Sequence, residues 1–179
     1  MFRAYNPCLA LLLSMPVAIA SPVFAGTHGG HHATADIVDA QGQARGTAML
    51  SQHKDGIHVD VKGNGLPAGV HAVHVHTVGT CTGPDFTSAG GHWNPGHKQH
   101  GAENPAGAHM GDMPNMTVAA NGSGELKAVI KGAMLSGGDA PLFDTDGAAI
   151  VIHAAADDYK TDPTGNAGGR LACGVLKAK

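Results

Sequence analysis

Two segments of the chain alternate apolar and polar residues, and this pattern limits the fold more than any other feature. In GIHVDVKG, residues 56–63, the apolar side chains of Ile57, Val59 and Val61 fall on one face and the polar side chains on the other. The segment ELKAVIK, residues 125–131, repeats the alternation. Because successive side chains of a strand point to opposite faces, both segments predict strands with one buried face.

Six further segments are apolar enough to form short strands, and no stretch of the chain carries a persuasive helical period. Glycine accounts for 27 of 179 residues and aromatic residues for only 4%, a composition typical of short strands joined by turns. The pairs Asp55-Gly56 and Asn121-Gly122 have the chemistry of hairpin turns. These features predict an antiparallel sandwich or barrel. The eight predicted strands cover residues 35–40, 44–52, 56–63, 70–76, 116–120, 125–131, 148–153 and 171–177.

Two long segments, residues 77–115 and 154–170, separate these strands without a strand or helix pattern of their own. Loops of that length are uncommon in a compact domain unless they have a function. Most histidines of the predicted domain, and both of its cysteines, lie in these segments or close to their edges. We therefore expect the functional residues there.

The first 25 residues have the pattern of a secretory signal peptide. Arg3 precedes the apolar run CLALLLSMPVAIA, which is too short for a membrane span and is followed by SPVFA. We predict cleavage after Ala25 and export of a soluble product to a bacterial periplasm. The mature chain then consists of a histidine-rich tail, residues 26–35, and one domain, residues 36–179.

The charge and the cysteines limit the partners and the compartment. The formal net charge is −3 with 14% charged residues, which gives no support for nucleic acid or a membrane as a partner of the mature chain. Cys8 lies in the predicted signal peptide, so Cys81 and Cys173 remain. An even number of cysteines in an exported protein indicates one disulfide, and the alternative is two unpaired buried thiols.

The chain has 13 histidines, and three of them fall in VHAVHVH, residues 70–76. On an extended strand His74 and His76 share a face about 7 Å apart, within reach of one ion, whereas His71 points to the other face. Imidazole suits copper and zinc, and a carboxylate can complete a tetrahedral zinc site. Further candidate ligands follow in the first loop and at the end of the strand AIVIH: His92, His97, His100, His109, Asp112 and His153.

Six motifs follow one another in the order and near-spacing of the copper–zinc superoxide dismutases: HVH, SAGGHWNP, HKQHG, HMGD, VIHAAADD and GNAGGRLACGV. The chain resembles this family, in its bacterial periplasmic form, from about residue 36 to residue 175. The resemblance implies an all-β fold, an eight-stranded antiparallel Greek-key barrel of the immunoglobulin-like sandwich type with two long functional loops. It also implies copper and zinc as cofactors.

The resemblance assigns roles to individual residues, with His92 shared between the two metals. It implies that Asp157 links a copper histidine to a zinc histidine, and that Arg170 docks the anionic substrate beside the copper. Cys81 and Cys173 match the family disulfide. The implied copper ligands are His74, His76, His92 and His153, and the implied zinc ligands are His92, His100, His109 and Asp112.

The implied reaction is dismutation of superoxide to dioxygen and hydrogen peroxide by a redox-cycling copper, with one proton supplied by His92. This would protect the exported compartment from superoxide. The segment YKTDPTGNAGGR departs from many relatives, whose loop carries extra lysine and glutamate here. Before Arg170 its only charges are Lys160 and Asp162. Bacterial relatives are often dimers, so the resemblance leaves a homodimer open.

The remaining histidines are interpreted without a role at the metals. His71 corresponds to a family position that braces the barrel, and His97 is a loop residue between two ligands. We expect His53, in a turn, and His58, on a polar strand face, to be solvated.

Two alternative functions stay open at this point. One is a structural domain that has lost copper. This alternative predicts that a copper ligand or the docking arginine is missing from the sequence, and none is missing. The other is a periplasmic copper- and zinc-binding protein whose tail collects metal. If cleavage falls after Ala25, the terminal amine, two amide nitrogens and the imidazole of His28 can surround Cu²⁺ in a square plane. His31 and His32 would add a weaker site.

Overall fold

The computed structural model describes residues 1–2 and 31–179, and the regular structure of this part of the chain is β-strand apart from one turn of 3-10 helix at Thr87–Ala89. The strands in chain order are β1 (His32–Asp39), β2 (Ala44–His53), β3 (Gly56–Gly63), β4 (Gly69–His71), β5 (Val73–His76), β6 (Met116–Val118), β7 (Gly124–Lys131), β8 (Ala149–His153), β9 (Arg170–Val175) and β10 (Lys177–Ala178).

Nine of these strands form one antiparallel path, in the order β4-β6-β7-β3-β2-β1-β9-β8-β5, and β10 pairs with β1. The two edge strands of the path, β4 and β5, are separated in sequence by Ala72 alone. A one-residue connection brings both edges together, so the sheet curls into a nearly closed barrel. The predicted all-β antiparallel barrel is confirmed. Neighbours such as β1 and β9, which are distant in sequence, give it Greek-key connections.

Two of the eight predicted strands are each divided in two, which raises the count to ten. In the segment 70–76 the break falls at Ala72, whose N–H donates to the Ala155 carbonyl at 2.8 Å and whose carbonyl accepts from the His153 N–H at 2.9 Å. This turn in the backbone lets β4 pair with β6 while β5 pairs with β8. The second break, at Leu176, separates β9 from β10.

The alternating pattern of the sequence corresponds to the inside and outside of the barrel. On β3, Ile57, Val59 and Val61 are each at most 3% exposed. On the paired strand β7, Leu126 and Ile130 are buried as well. Burying a side chain of this size contributes about 1.5–3 kcal/mol, so these two strands supply a large share of the core.

Long connections leave the barrel at the predicted places. Residues 77–115 join β5 to β6, and residues 154–169 join β8 to β9. A third long connection, residues 132–148, joins β7 to β8 and carries none of the predicted ligands. No helix in the described residues is long and apolar enough to cross a membrane.

The predicted disulfide is present. Cys81, in the first long loop, is bonded to Cys173 on β9, with their Cα atoms 5.7 Å apart. The bond closes a separation of 92 residues, for which the chain-entropy estimate of stabilisation is about 4–5 kcal/mol. It fastens the start of the loop to the sheet.

The predicted signal peptide and most of the predicted tail, including His28, lie outside the described residues. His31 comes directly before β1, and His32 is the first residue of that strand. The strand therefore includes residues 32–35 of the predicted tail.

Candidate metal centre

Four imidazoles meet at the side of the barrel where β5 pairs with β8. His74 and His76 belong to β5, and His153 is the last residue of β8. His92, from the long loop, joins them through an isolated bridge to His76. All four are buried, and each offers a ring nitrogen within 4.8 Å of the others. We call these residues the strand set.

Hydrogen bonds fix which nitrogen is free in two rings of the strand set, those of His74 and His76. His74 donates through Nε2 to Asp157 Oδ2 at 2.8 Å, and its buried Nδ1 has no partner among the described residues. His76 donates through Nδ1 to the Gly90 carbonyl at 2.9 Å, which leaves its Nε2 3.4 Å from Nε2 of His153. Buried polar atoms almost always have a partner, so lone pairs that converge without donors fit a bound cation.

A second group of donors lies within the long loop and shares His92 with the first. The Nδ1 atoms of His92, His100 and His109 lie 2.9, 3.1 and 3.2 Å from Asp112 Oδ1. The Nδ1 atom of His92 is 3.3 Å from that of His100 and 3.4 Å from that of His109. Four ligands about 2.0–2.1 Å from a central zinc would be about 3.3–3.4 Å apart. We call His92, His100, His109 and Asp112 the loop set, and its spacing fits zinc.

His92 belongs to both sets because its two nitrogens face in different directions. Nδ1 is directed at the loop set, whereas the buried Nε2 has no hydrogen-bond partner among the described residues. The ring also packs against His74, with 4.0 Å between centroids. An imidazole with one nitrogen in each set can link two metal ions.

Asp157 connects the two sets through ring nitrogens on the side away from the converging donors. One carboxylate oxygen accepts from His74, and the other accepts from Nε2 of His100 at 2.9 Å. With both oxygens occupied by imidazole N–H groups, Asp157 orients ligands rather than binding metal itself. Asn115 holds its backbone from both sides, accepting from Asp157 N–H at 2.8 Å and donating to its carbonyl at 2.9 Å.

A glycine makes room for this carboxylate. Gly165 has a φ of 65°, and a Cβ atom built there would lie 2.0 Å from Asp157 Oδ1 and 2.6 Å from Nε2 of His100. Any larger residue would displace the bridge between the two sets. Neither Asn115 nor Gly165 was identified from the sequence, because neither the side-chain bonds of Asn115 nor the space left by Gly165 has a local motif.

The protonation states in the metal-free site also suit metal ligands. Burial lowers the pKa of His76 to about 2, of His153 to about 3 and, against the opposing hydrogen bond with Asp112, of His92 to about 4. Although burial raises the pKa of Asp112, hydrogen bonds from His92 and the Gly101 N–H hold it well below its usual range. Near neutral pH His76, His92 and His153 are thus neutral and Asp112 is ionised, the forms that bind metals.

Arg170, the first residue of β9, lies beside the strand set. Its guanidinium donates from Nη1 to the Phe86 carbonyl and from Nη2 to the Gly90 carbonyl, both at 2.6 Å. Gly90 also accepts from His76, so one carbonyl connects the arginine to the strand set. These bonds use two of the five guanidinium N–H donors and hold a fixed positive charge at the site.

Among the other described histidines, one position differs from the prediction: His53 is the last residue of β2 rather than part of a turn. His71 is buried, with its ring nitrogens 2.8 and 2.9 Å from the carbonyls of His153 and Pro67, which braces β4 against β8. His97 is exposed in the loop. His53 is exposed and His58 half-exposed on the outer surface.

Comparisons with known proteins agree with this geometry. The family described as copper/zinc superoxide dismutase (SODC) matches residues 44–176. The chain is 40% identical to superoxide dismutase [Cu-Zn] 1 of Aquifex aeolicus, over 99% of this chain and all of that one. The chain belongs to the copper/zinc superoxide dismutase family. It is an oxidoreductase that dismutes superoxide, and its cofactors are copper and zinc.

Solved structures of similar proteins share the fold of this dismutase. A SOD-like protein from Bacillus subtilis is 38% identical with a TM-score of 0.77, over 83% of this chain and 99% of that one. The Cu/Zn superoxide dismutase from Brucella abortus is 28% identical with a TM-score of 0.62, over 82% of this chain and 99% of that one. The barrel and its long loops are therefore those of the family.

Proposed function

We propose that the strand set holds copper and the loop set holds zinc. The strand set contains only imidazoles, which copper accepts, and the loop set combines three imidazoles with one carboxylate, a combination typical of zinc. The observation that carries the proposal is the convergence of the two donor sets on opposite nitrogens of His92. The proposed copper ligands are His74, His76, His92 and His153, and the proposed zinc ligands are His92, His100, His109 and Asp112.

Bound copper supplies a one-electron acceptor and donor, through which two superoxide anions and two protons become dioxygen and hydrogen peroxide, whereas zinc is not redox-active. The protein residues supply the proton and the orientation. In this proposal Nε2 of His92 carries one of the two protons, because it is the nitrogen of that ring with no other hydrogen-bond partner among the described residues. Asp157 keeps His74 and His100 in the tautomers that direct Nδ1 at the metals.

Arg170 is proposed to dock the superoxide anion. Its guanidinium is half-buried, permanently charged and fixed by the carbonyls of Phe86 and Gly90. Its remaining N–H groups offer an anion a fork of donors next to the strand set. Arg170 donates to backbone carbonyls and not to a metal ligand. We therefore assign it to substrate binding and not to metal binding.

A periplasmic location is also proposed. Its support is the sequence of residues 1–25 and the match to bacterial relatives, and N-terminal sequencing of the exported protein tests it by looking for Gly26 as the first residue. Sedimentation of the same sample tests whether two copies associate. The tail histidines His28, His31 and His32 stay a predicted copper site. The alternative that metal collection is the main role stays a prediction as well.

Elemental analysis paired with a superoxide-consumption assay tests the proposed function. The purified mature protein should carry one copper and one zinc in the centre and consume superoxide in proportion to its copper content. A protein that binds both metals and consumes no superoxide would favour the metal-collecting alternative. A protein that binds zinc alone would favour the structural one.

A further inference from the structure

Two histidines outside the metal centre meet on the outer surface of the barrel, where the hairpin joins β2 to β3. The rings of His53 and His58 are stacked with their centroids 4.0 Å apart. The carboxylate of Asp55, in the turn, lies 2.9 Å from Nε2 of His58, and the Ser51 hydroxyl lies 3.1 Å from Nε2 of His53. The side chains of His58 and Asp55 are 40% and 62% exposed, so ions from solvent can reach them.

The strand register adds a third histidine to this surface. His32, the first residue of β1, lies opposite Ser51 of β2, and Ser51 lies opposite His58 of β3. Directly paired residues share a face of the sheet, as do residues two apart on one strand. His32 is therefore on the same exposed face as His53, its diagonal neighbour at roughly 7–8 Å between Cα atoms, which long side chains can span.

We propose that His32, His53, Asp55 and His58 form a second, solvent-exposed site for a divalent late transition metal such as Zn²⁺ or Cu²⁺. The donors are three imidazoles and one carboxylate, the same chemistry as the loop set. His53 already contacts His58, and His58 contacts Asp55. These exposed side chains can turn toward a common ion without disturbing the core. We call the four residues the hairpin site.

The hairpin site lies far from the buried centre. β1 runs from His32 at the hairpin site to Asp39, which pairs with Ala172 near Arg170. Eight residues of strand span roughly 23 Å, so a metal at one end has no contact with a metal at the other. Because water competes at an exposed site, we expect a dissociation constant in the micromolar range, weaker than that of the buried centre.

The test starts from protein already loaded with copper and zinc, so its outcome is independent of the assignments in the centre. Equilibrium dialysis against micromolar free Zn²⁺, followed by elemental analysis, should find one additional zinc per chain. The double variant His53→Ala/His58→Ala should lower the affinity for that zinc at least about tenfold, and His32→Ala should lower it less. The superoxide rate of these variants should stay unchanged, which shows that they are folded.

Two matched controls separate the hairpin site from other histidines. His97→Ala removes an exposed histidine of the long loop, and His28→Ala removes the predicted tail ligand. Both variants should retain the additional zinc. The proposal is overturned if no additional zinc binds, if it persists in the double variant, or if it is lost with His28 instead. Zn²⁺ is the probe because a terminal amine-and-amide site favours the square-planar geometry of Cu²⁺.

Discussion

The strand set and the loop set share one histidine but are held by different kinds of backbone. His74, His76 and His153 belong to two strands paired residue by residue, with His74 opposite Val151 and His76 opposite Ala149. The four members of the loop set fall within 21 residues, from His92 to Asp112, in a segment without regular structure apart from isolated bridges. The sheet fixes three of the four members of the strand set, whereas His92 and the rest of the loop set depend on the points at which the loop is attached.

Backbone hydrogen bonds attach the loop to β5 close to both ends of the loop set. Val75 of β5 donates to the Gly111 carbonyl at 2.9 Å and accepts from the Trp93 N–H at 2.8 Å, and Gly111 donates to the Trp93 carbonyl at 2.8 Å. Between these anchors, His100 is held by Asp157 and by its N–H bond to Asp162. The comparison teaches that the barrel fixes most of the geometry of the strand set, while the geometry of the loop set needs the loop to close.

The largest expected effect is the loss of copper from the strand set. We expect His153→Ala to bind no copper in the centre and to show no superoxide consumption, while zinc and the fold are retained. The reason is that His153 ends β8 and makes no contact with the loop set other than with the shared His92. Elemental analysis and the superoxide assay measure both effects, and normal copper content with a normal rate would refute the assignment.

The reciprocal variant, His109→Ala in the loop set, is the control for that result. It removes a loop ligand and leaves every ring of the strand set in place. Zinc should be lost and copper retained, with faster amide hydrogen exchange in residues 93–112. If either variant lost both metals, the two sets would not be separable, and the comparison above would fail.

The next largest effect concerns the carboxylate that connects the sets. Although burial raises the pKa of Asp157, hydrogen bonds from His74 and His100 lower it, so it accepts from both as a carboxylate. Asp157→Asn keeps the shape but can accept from only one of them, so we expect affinity for metal to fall about 10–100-fold. Competition with a chelator measures the affinity of the variant for each metal. Asp158→Asn is the matched control, because Asp158 binds only its own loop and should leave metal affinity unchanged.

A smaller effect is expected at Arg170, the proposed docking residue, which connects a strand to the loop. Arg170→Ala should lower the superoxide rate about tenfold or more while both metals stay bound, because the lost charge acts on the anion. Arg45→Ala removes an arginine paired with Asp39 and should not change the rate. Metal loss from the Arg170 variant would show that the residue is structural.

The smallest effect concerns the charges around that arginine. The two charges of the segment YKTDPTGNAGG before Arg170 are engaged elsewhere, Lys160 by Glu103 at 2.9 Å and Asp162 by the His100 N–H. Asp85 is exposed and directly precedes Phe86, whose carbonyl accepts a hydrogen bond from Arg170. Hydrogen bonds from Thr87 lower the pKa of Asp85, so this side chain places a negative charge near the guanidinium of Arg170.

Asp85→Asn should therefore raise the superoxide rate about twofold at low ionic strength, and salt should remove the difference. Asp36→Asn, an exposed carboxylate on β1, should have no such effect. An unchanged or lower rate in the Asp85 variant at low salt would show that this carboxylate does not weaken the attraction of the anion.

The sequence predicts the strands, the loops and the candidate ligands because each leaves a local pattern. Alternation marks β3 and β7, whereas the members of the loop set were predicted from the resemblance of their motifs to those of the family. The break at Ala72 was not predictable, since it depends on which strand each half of the segment meets. Asn115 and Gly165 were not predicted for the same reason, because Asn115 meets Asp157, and Gly165 meets His100, across long separations in sequence.

The central claim is that two metals occupy two separately built sets joined by His92. Anomalous diffraction from crystals of the metal-loaded protein, recorded at the copper and zinc absorption edges, tests it most directly. The account predicts a copper peak among His74, His76 and His153, a zinc peak among His100, His109 and Asp112, and the His92 ring between them. A single peak, or copper and zinc in exchanged positions, would contradict it.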